Sequence, residues 1–133
     1  MRKKIGLMIA GFAVTSTFAF AGLTLHSDNP NYTSQTVKVK CTDKSGTVLI
    51  DRNALVGQNV PWALVKVGFL KGGTFGHCEF TYTKTGAIMG QGDVSVDGIS
   101  KGKVNNVKSG VGFTISVSPD QNNYYGNVTI SVK

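Results

Sequence analysis

Residues 36–51 read TVKVKCTDKSGTVLID. Val37, Val39 and Cys41 alternate with Lys38 and Lys40, the period of a half-buried strand, because successive side chains of an extended chain point to opposite faces. TDKSG, residues 42–46, supplies turn formers, and TVLID returns as a second strand. Residues 35–51 are therefore expected to form a hairpin, and an all-β fold follows if the same period continues outward.

It does continue. VPWALVKVGF, residues 60–69, is almost wholly apolar and rich in β-branched and aromatic residues, as a central strand covered on both faces would be, with Trp62 in the core. After a turn at Lys71-Gly72-Gly73, TFGHCEFTYTK places Cys78, Phe80 and Tyr82 on one face and Phe75, His77, Glu79 and Thr81 on the other. In AIMGQGDVSVD, Ile88, Val94 and Val96 are read on one face around Gly90 and Gly92, which suggest a bulge. A polar strand over 103–108 follows. Val111, Phe113, Ile115 and Val117 then align as one strand, and Val128, Ile130 and Val132 as the last. Only residues 52–58, RNALVGQ, have room for a single helical turn. Seven or eight short strands with turn signals between them indicate an antiparallel β-sandwich, with a small barrel as the alternative architecture.

The N-terminus has a different character. Arg2, Lys3 and Lys4 precede an apolar run, and Ala19-Phe20-Ala21 forms a small-residue cleavage signal. Residues 1–21 are expected to be a secretory signal peptide of bacterial type and residues 22–133 a single β-sandwich domain, secreted or periplasmic. Without the leader, Lys plus Arg falls from 14 to 11 against 7 acidic residues, so the net charge drops from +7 to +4. The remaining lysines are spread through strands and turns without interleaved aromatics, which argues against nucleic acid as a partner. No later run approaches a membrane-spanning length, so no transmembrane segment is expected in the mature chain. The chain has two cysteines. In an exported protein they are expected to pair, Cys41 with Cys78, closing a loop worth about 4 kcal/mol in the chain-entropy account.

Candidate chemistry is sparse. His77 and Glu79 share a strand face at spacing two and are the candidate metal ligands, but a metal centre needs three or four, and the only other histidine is His26. Cys78 points to the opposite face. Ser and Thr residues are plentiful, yet no nucleophile elbow surrounds any of them. The carboxylates besides Glu79 are aspartates read in turns, Asp43, Asp93, Asp97 and Asp120 among them. No enzyme activity and no cofactor are therefore expected. The alternative is a small secreted metal-dependent enzyme or metal-binding protein using His77 and Glu79. Tyr124 and Tyr125, adjacent in an Asn- and Gly-rich loop, are the candidate partner-binding aromatics, since loop tyrosines offer large contact area at low entropic cost. One of the two folding back onto the sandwich edge is the competing expectation.

Two resemblances bear on these residues. The order Cys41, Trp62, Cys78 resembles immunoglobulin-like domains, in which a buried tryptophan packs on a disulfide between sheets, and implies an immunoglobulin-like sandwich with one disulfide. Cys41, Cys78 and the closing segment YYGNVTISVK, residues 124–133, resemble those of exported bacterial fimbrial and spore-coat-U-like subunits. That resemblance implies self-assembly in the envelope, with GLTLHS at the mature N-terminus as a donor strand and Leu23 and Leu25 filling a neighbour's pockets. The functional expectation is an exported, non-enzymatic sandwich that acts by surface contact. Its partner would be a protein or envelope component, including its own copies.

Overall fold

A computed structural model of the chain describes residues 21–69 and 73–133. The expected leader lies outside the described residues except for Ala21, as do Lys71 and Gly72 of the expected glycine turn. Among the described residues nine strands and one helix follow in the order β1 (Gly22–His26), β2 (Thr36–Thr42), β3 (Val48–Leu55), β4 (Asn59–Pro61), α1 (Trp62–Gly68), β5 (Phe75–Tyr82), β6 (Ala87–Asp97), β7 (Lys101–Ser109), β8 (Ile115–Ser118) and β9 (Asn127–Val132). They form two sheets, ordered β4-β1-β9-β8 and β3-β2-β5-β6-β7. Every ladder is antiparallel except that of β1 with β9. The expected sandwich is present, and short pieces such as the three-residue β4 bring the strand number to nine.

The alternation read in the sequence is what builds the layers. In β5, Gly76, Cys78, Phe80 and Tyr82 are buried and the residues between them half-buried. In β9, Val128, Ile130 and Val132 are buried in the same way. Leu25 joins them from β1, and Val37, Met89, Val94 and Val104 meet them from the opposing sheet. The hairpin expected over residues 35–51 forms, and its turn is held by Asp43, whose Oδ1 accepts hydrogen bonds from the N–H and hydroxyl of Ser45 and from the N–H of Thr47.

Several expectations need correction. Residues 60–69 are not a central strand: β4 ends at Pro61 and α1 begins at Trp62. Trp62, Val65 and Phe69, at spacings of three and four, are the buried side chains, at 0%, 7% and 0% exposure, while Leu64 and Val67 face outward. A run that is apolar throughout carries no period of its own, so strand and helix look alike until the packing partners are known. Residues 52–58 hold no helical turn; they finish β3 and turn at Gly57, whose φ of 96° suits glycine.

In β6 the bulge expected near Gly90 is present, but it reverses part of the face assignment. Phe80 pairs with Gly90 and Thr81 with Ile88, so Met89 is the extra residue; it turns inward and Ile88 outward. Residues 111–117 do not form one strand either. Val111 is fully exposed beside Gly112, whose φ is 86°, and the strand begins only at Ile115.

The disulfide joins Cys41 to Cys78, as expected from the cysteine count. It does not link the two sheets. Cys41 and Cys78 sit directly opposite each other on the neighbouring strands β2 and β5 of one sheet. The aromatic ring beside the bridge is that of Phe69, which shares the space above Gly76 with the Cys41 Cβ. Trp62 lies elsewhere, its ring packed against the backbone of Gly102 and its Nε1–H donated to the Gly126 carbonyl at 2.9 Å. The resemblance to an inter-sheet bridge under a tryptophan is thus overturned, because register, not sequence order, decides which strands two cysteines connect.

Candidate functional site

The outer face of the five-stranded sheet carries the clustered polar chemistry. Three antiparallel ladders align residues distant in sequence into rows across it. One row runs Thr42, His77, Asp93, Asn105, and the next runs Lys40, Glu79, Gln91, Lys108. Phe75, Ser95 and Lys103 form a third. Asp93, read as a turn residue, is instead in the middle of β6 and faces His77 directly.

His77 Nδ1 lies 2.7 Å from Asp93 Oδ1, and Nε2 lies 2.9 Å from Gln91 Oε1. Asp93 Oδ2 in turn accepts a hydrogen bond of 2.8 Å from Asn106 Nδ2. Asn106 reaches it from a bulge in β7, where Gly92 sits between the pairs Gln91–Lys108 and Asp93–Asn105 while Asn106 and Val107 oppose it. The Asn106 φ of 53° is a left-handed conformation that asparagine tolerates better than most residues.

With the Nδ1 proton donated to the Asp93 carboxylate and Nε2 facing an amide oxygen, the ring is best satisfied as an imidazolium. The Asp93 hydrogen bond accordingly raises the His77 pKa above its ordinary value; partial burial opposes this, and the Gln91 bond and the Asp93 and Glu79 charges add to it. Partial burial pushes Asp93 up, but hydrogen bonds from Asn106 and His77 outweigh it and hold the carboxyl below its ordinary value.

The pH dependence follows from those two directions. A raised histidine pKa gives stability that is complete below about pH 6.5 and lost as pH rises through the raised value, while a lowered aspartate pKa gives stability present above about pH 3.9 and lost as pH falls through the lowered one. The pair thus stabilises the fold most between about pH 4 and 6.5. In a proton NMR titration His77 should titrate above a free imidazole and return toward it in Asp93→Asn. An identical midpoint in that variant would remove Asp93 as the cause.

For the metal expectation this geometry is unhelpful. Both ring nitrogens of His77 already face partners, so a cation there must displace Asp93 or Gln91. Glu79 is two positions along the strand between Lys40 and Gln91, and His26 stands on β1 in the other sheet, 2.9 Å from Asp28. Among the described residues no three His, Cys, Asp or Glu side chains converge on a point.

The two tyrosines diverge. Tyr125 folds back: its backbone bridges Gly102, and its hydroxyl donates to Asp120 Oδ2 at 2.7 Å. The Asn122 N–H and this hydroxyl hold Asp120 below the usual carboxylate range. Tyr124 stays 40% exposed, with the Lys103 ammonium 4.7 Å from its ring centroid. Leu23 and Leu25 lie opposite Val128 and Ile130 in their own chain, Leu25 buried and Leu23 packed against the core.

Where the outer face meets the segment after β8, a cleft of about 500 Å³ opens between Asn105, Asn106 and Val107 on β7 and the residues Pro119 to Asn122. Gln121 spans it, its Oε1 accepting from the Val107 N–H at 3.2 Å. Sequence reading missed Gln91 and Asn106 and put Asp93 in a turn. The alternation of GQGDVSVD did place Gln91 and Asp93 on one face, and pairing residues 75–82 with 87–97 as a hairpin would have brought them to His77. No protein-family model, characterised protein or solved structure matches this chain. Among the described residues no helix is long and apolar enough to cross a membrane.

Proposed function

We propose that the chain is an exported, non-enzymatic β-sandwich that acts by surface contact through the outer face of its five-stranded sheet, with an extracellular partner or in a fimbria-like assembly of the cell envelope. The observation that carries this reading is the hydrogen-bonded row from His77 through Asp93 to Asn106. Its polar groups are tied to one another across three strands, which makes a rigid half-exposed surface and leaves no free nucleophile and base facing each other.

The test compares the mature chain, residues 22–133, with a Glu79→Lys, Lys108→Glu variant, reading retention in washed envelope fractions and self-association by sedimentation. Loss of either with an unchanged far-UV spectrum is the expected result. A parent chain that neither associates nor is retained, or a variant that matches it in both, overturns the reading.

The assembly version is supported by the position of β1. It is inserted between β4 and β9 and held by main-chain ladders on both sides, a place that the equivalent strand of a neighbouring copy can fill. Deleting residues 22–27 leaves β4 without a partner and uncovers Val128 and Ile130, so cooperative unfolding should be lost and a synthetic GLTLHS peptide should restore it. A deletion variant that folds alone and assembles as before counts against strand exchange.

A further inference from the structure

We propose that the cleft between the β7 bulge and the segment 119–122 is a binding site for a neutral saccharide; this rests on the surface-contact reading and names the ligand class. The chemistry of two carboxamides carries it. Asn106 Nδ2 donates to the Asp93 carboxylate, which can only accept, so the amide orientation is set and Oδ1 is the end left for the cleft. Gln121 Oε1 accepts from the Val107 N–H, which can only donate, so Nε2 is the end left for the cleft. The cleft therefore presents one fixed acceptor and one fixed donor. A hydroxyl group donates to the first and accepts from the second, and a sugar carries hydroxyls in adjacent pairs.

Asn105 and Asn122 add two carboxamides on the same cleft, and their side chains form no hydrogen bond with other described residues. Each can take either role toward a hydroxyl. The charge balance favours a neutral ligand: Asp120, which lines the cleft, is held ionised and repels an anion, the Asp93 charge is paired with the His77 imidazolium, and the oxygens of both carboxylates are engaged by His77, Asn106, Asn122 and Tyr125. The non-polar C–H face of a sugar ring has its own partners. Val117 and Pro119 line the cleft. Beside the cleft, the Tyr124 ring has the Lys103 ammonium 4.7 Å from its centroid, and Lys103 is two residues before Asn105 on the same strand face. A peptide fits less well, since strand addition needs edge N–H groups and the Val107 N–H is already taken by Gln121. A volume of about 500 Å³ accommodates a disaccharide.

The experiment titrates the isotopically labelled mature chain with millimolar glucose, galactose, mannose, N-acetylglucosamine and their common disaccharides. A sialylated sugar and an uncharged tripeptide are run as controls. Saturable shifts of the Asn105, Asn106, Gln121 and Asn122 side-chain amides with at least one neutral sugar are the expected result. Asn106→Gly keeps the left-handed backbone and removes the acceptor, and Asn122→Ala removes a carboxamide; each should weaken binding by about tenfold or more. No shift with any neutral sugar, shifts only with the sialylated sugar or tripeptide, or undiminished binding in both variants overturns the proposal. If the Glu79→Lys, Lys108→Glu variant still loses envelope retention while the sugars do nothing, the saccharide site falls and the contact reading stands. If both fail, the contact reading falls with it.

Discussion

Trp62→Ala is expected to lower the unfolding free energy by about 3–5 kcal/mol, the range for deleting a fully buried large aromatic. Trp62 is the first residue of α1 and the chain's single tryptophan, it has no exposed surface, and it joins three parts of the fold at once. Its backbone N–H donates to the Ala21 carbonyl, its Nε1–H to the Gly126 carbonyl, and its ring lies against Gly102 at the start of β7. Gly102 has no side chain because a Cβ there would run into that ring. Alanine leaves a cavity and an unpaired Gly126 carbonyl, and the surrounding strands cannot collapse fully onto either. Urea titration followed by far-UV circular dichroism measures the loss without relying on tryptophan fluorescence. Trp62→Phe separates the two contributions, since it keeps most of the ring volume and forfeits the hydrogen bond, at about 1–3 kcal/mol. A loss below about 1 kcal/mol for alanine would mean that α1 does not close the core as described.

The second large effect concerns the disulfide. Replacing Cys41 and Cys78 together by alanine is expected to cost about 4 kcal/mol, from the loop entropy returned to the unfolded chain. Both cysteines are 2% exposed and separated by 37 residues. For a domain whose total stability is about 5–15 kcal/mol, that loss leaves a small margin. The same drop should appear on reduction of the native chain under mild denaturant. Because the bridge links neighbouring strands already paired by main-chain hydrogen bonds, the folded state should change little. Retained β-sheet signal with a lower urea midpoint is the expected pattern, and an unchanged midpoint would show that the reduced, unfolded chain does not regain the loop entropy.

Much of the architecture was legible because strand alternation is local. Val37 and Cys41 with Lys38 and Lys40, or Cys78, Phe80 and Tyr82 with His77 and Glu79, declare their faces from neighbours two positions away. The helix was not legible, since Trp62 to Phe69 is apolar nearly throughout and only the buried trio Trp62, Val65 and Phe69 reveals its period. Met89 changed places with Ile88 for a similar reason: one extra residue in a ladder reverses every face beyond it. At the candidate site, the sequence pointed to His77 and Glu79 and away from Asp93. An aspartate flanked by glycine reads as a turn until β6 is known to be the partner of β5.

What the sequence alone determined is the set of properties carried by short stretches: the β class, the face of most strand residues, the turns, and the pairing of its only two cysteines. The tertiary structure decided which strands are neighbours. It set β1 parallel to β9, where Ser27 Oγ bonds the Val132 carbonyl across 105 residues of chain. It laid the disulfide within one sheet, and it assembled His77, Asp93 and Asn106 into one row. Such pairings come from the register of strands distant along the chain, set by how the whole apolar surface is best covered, and no local period encodes that choice.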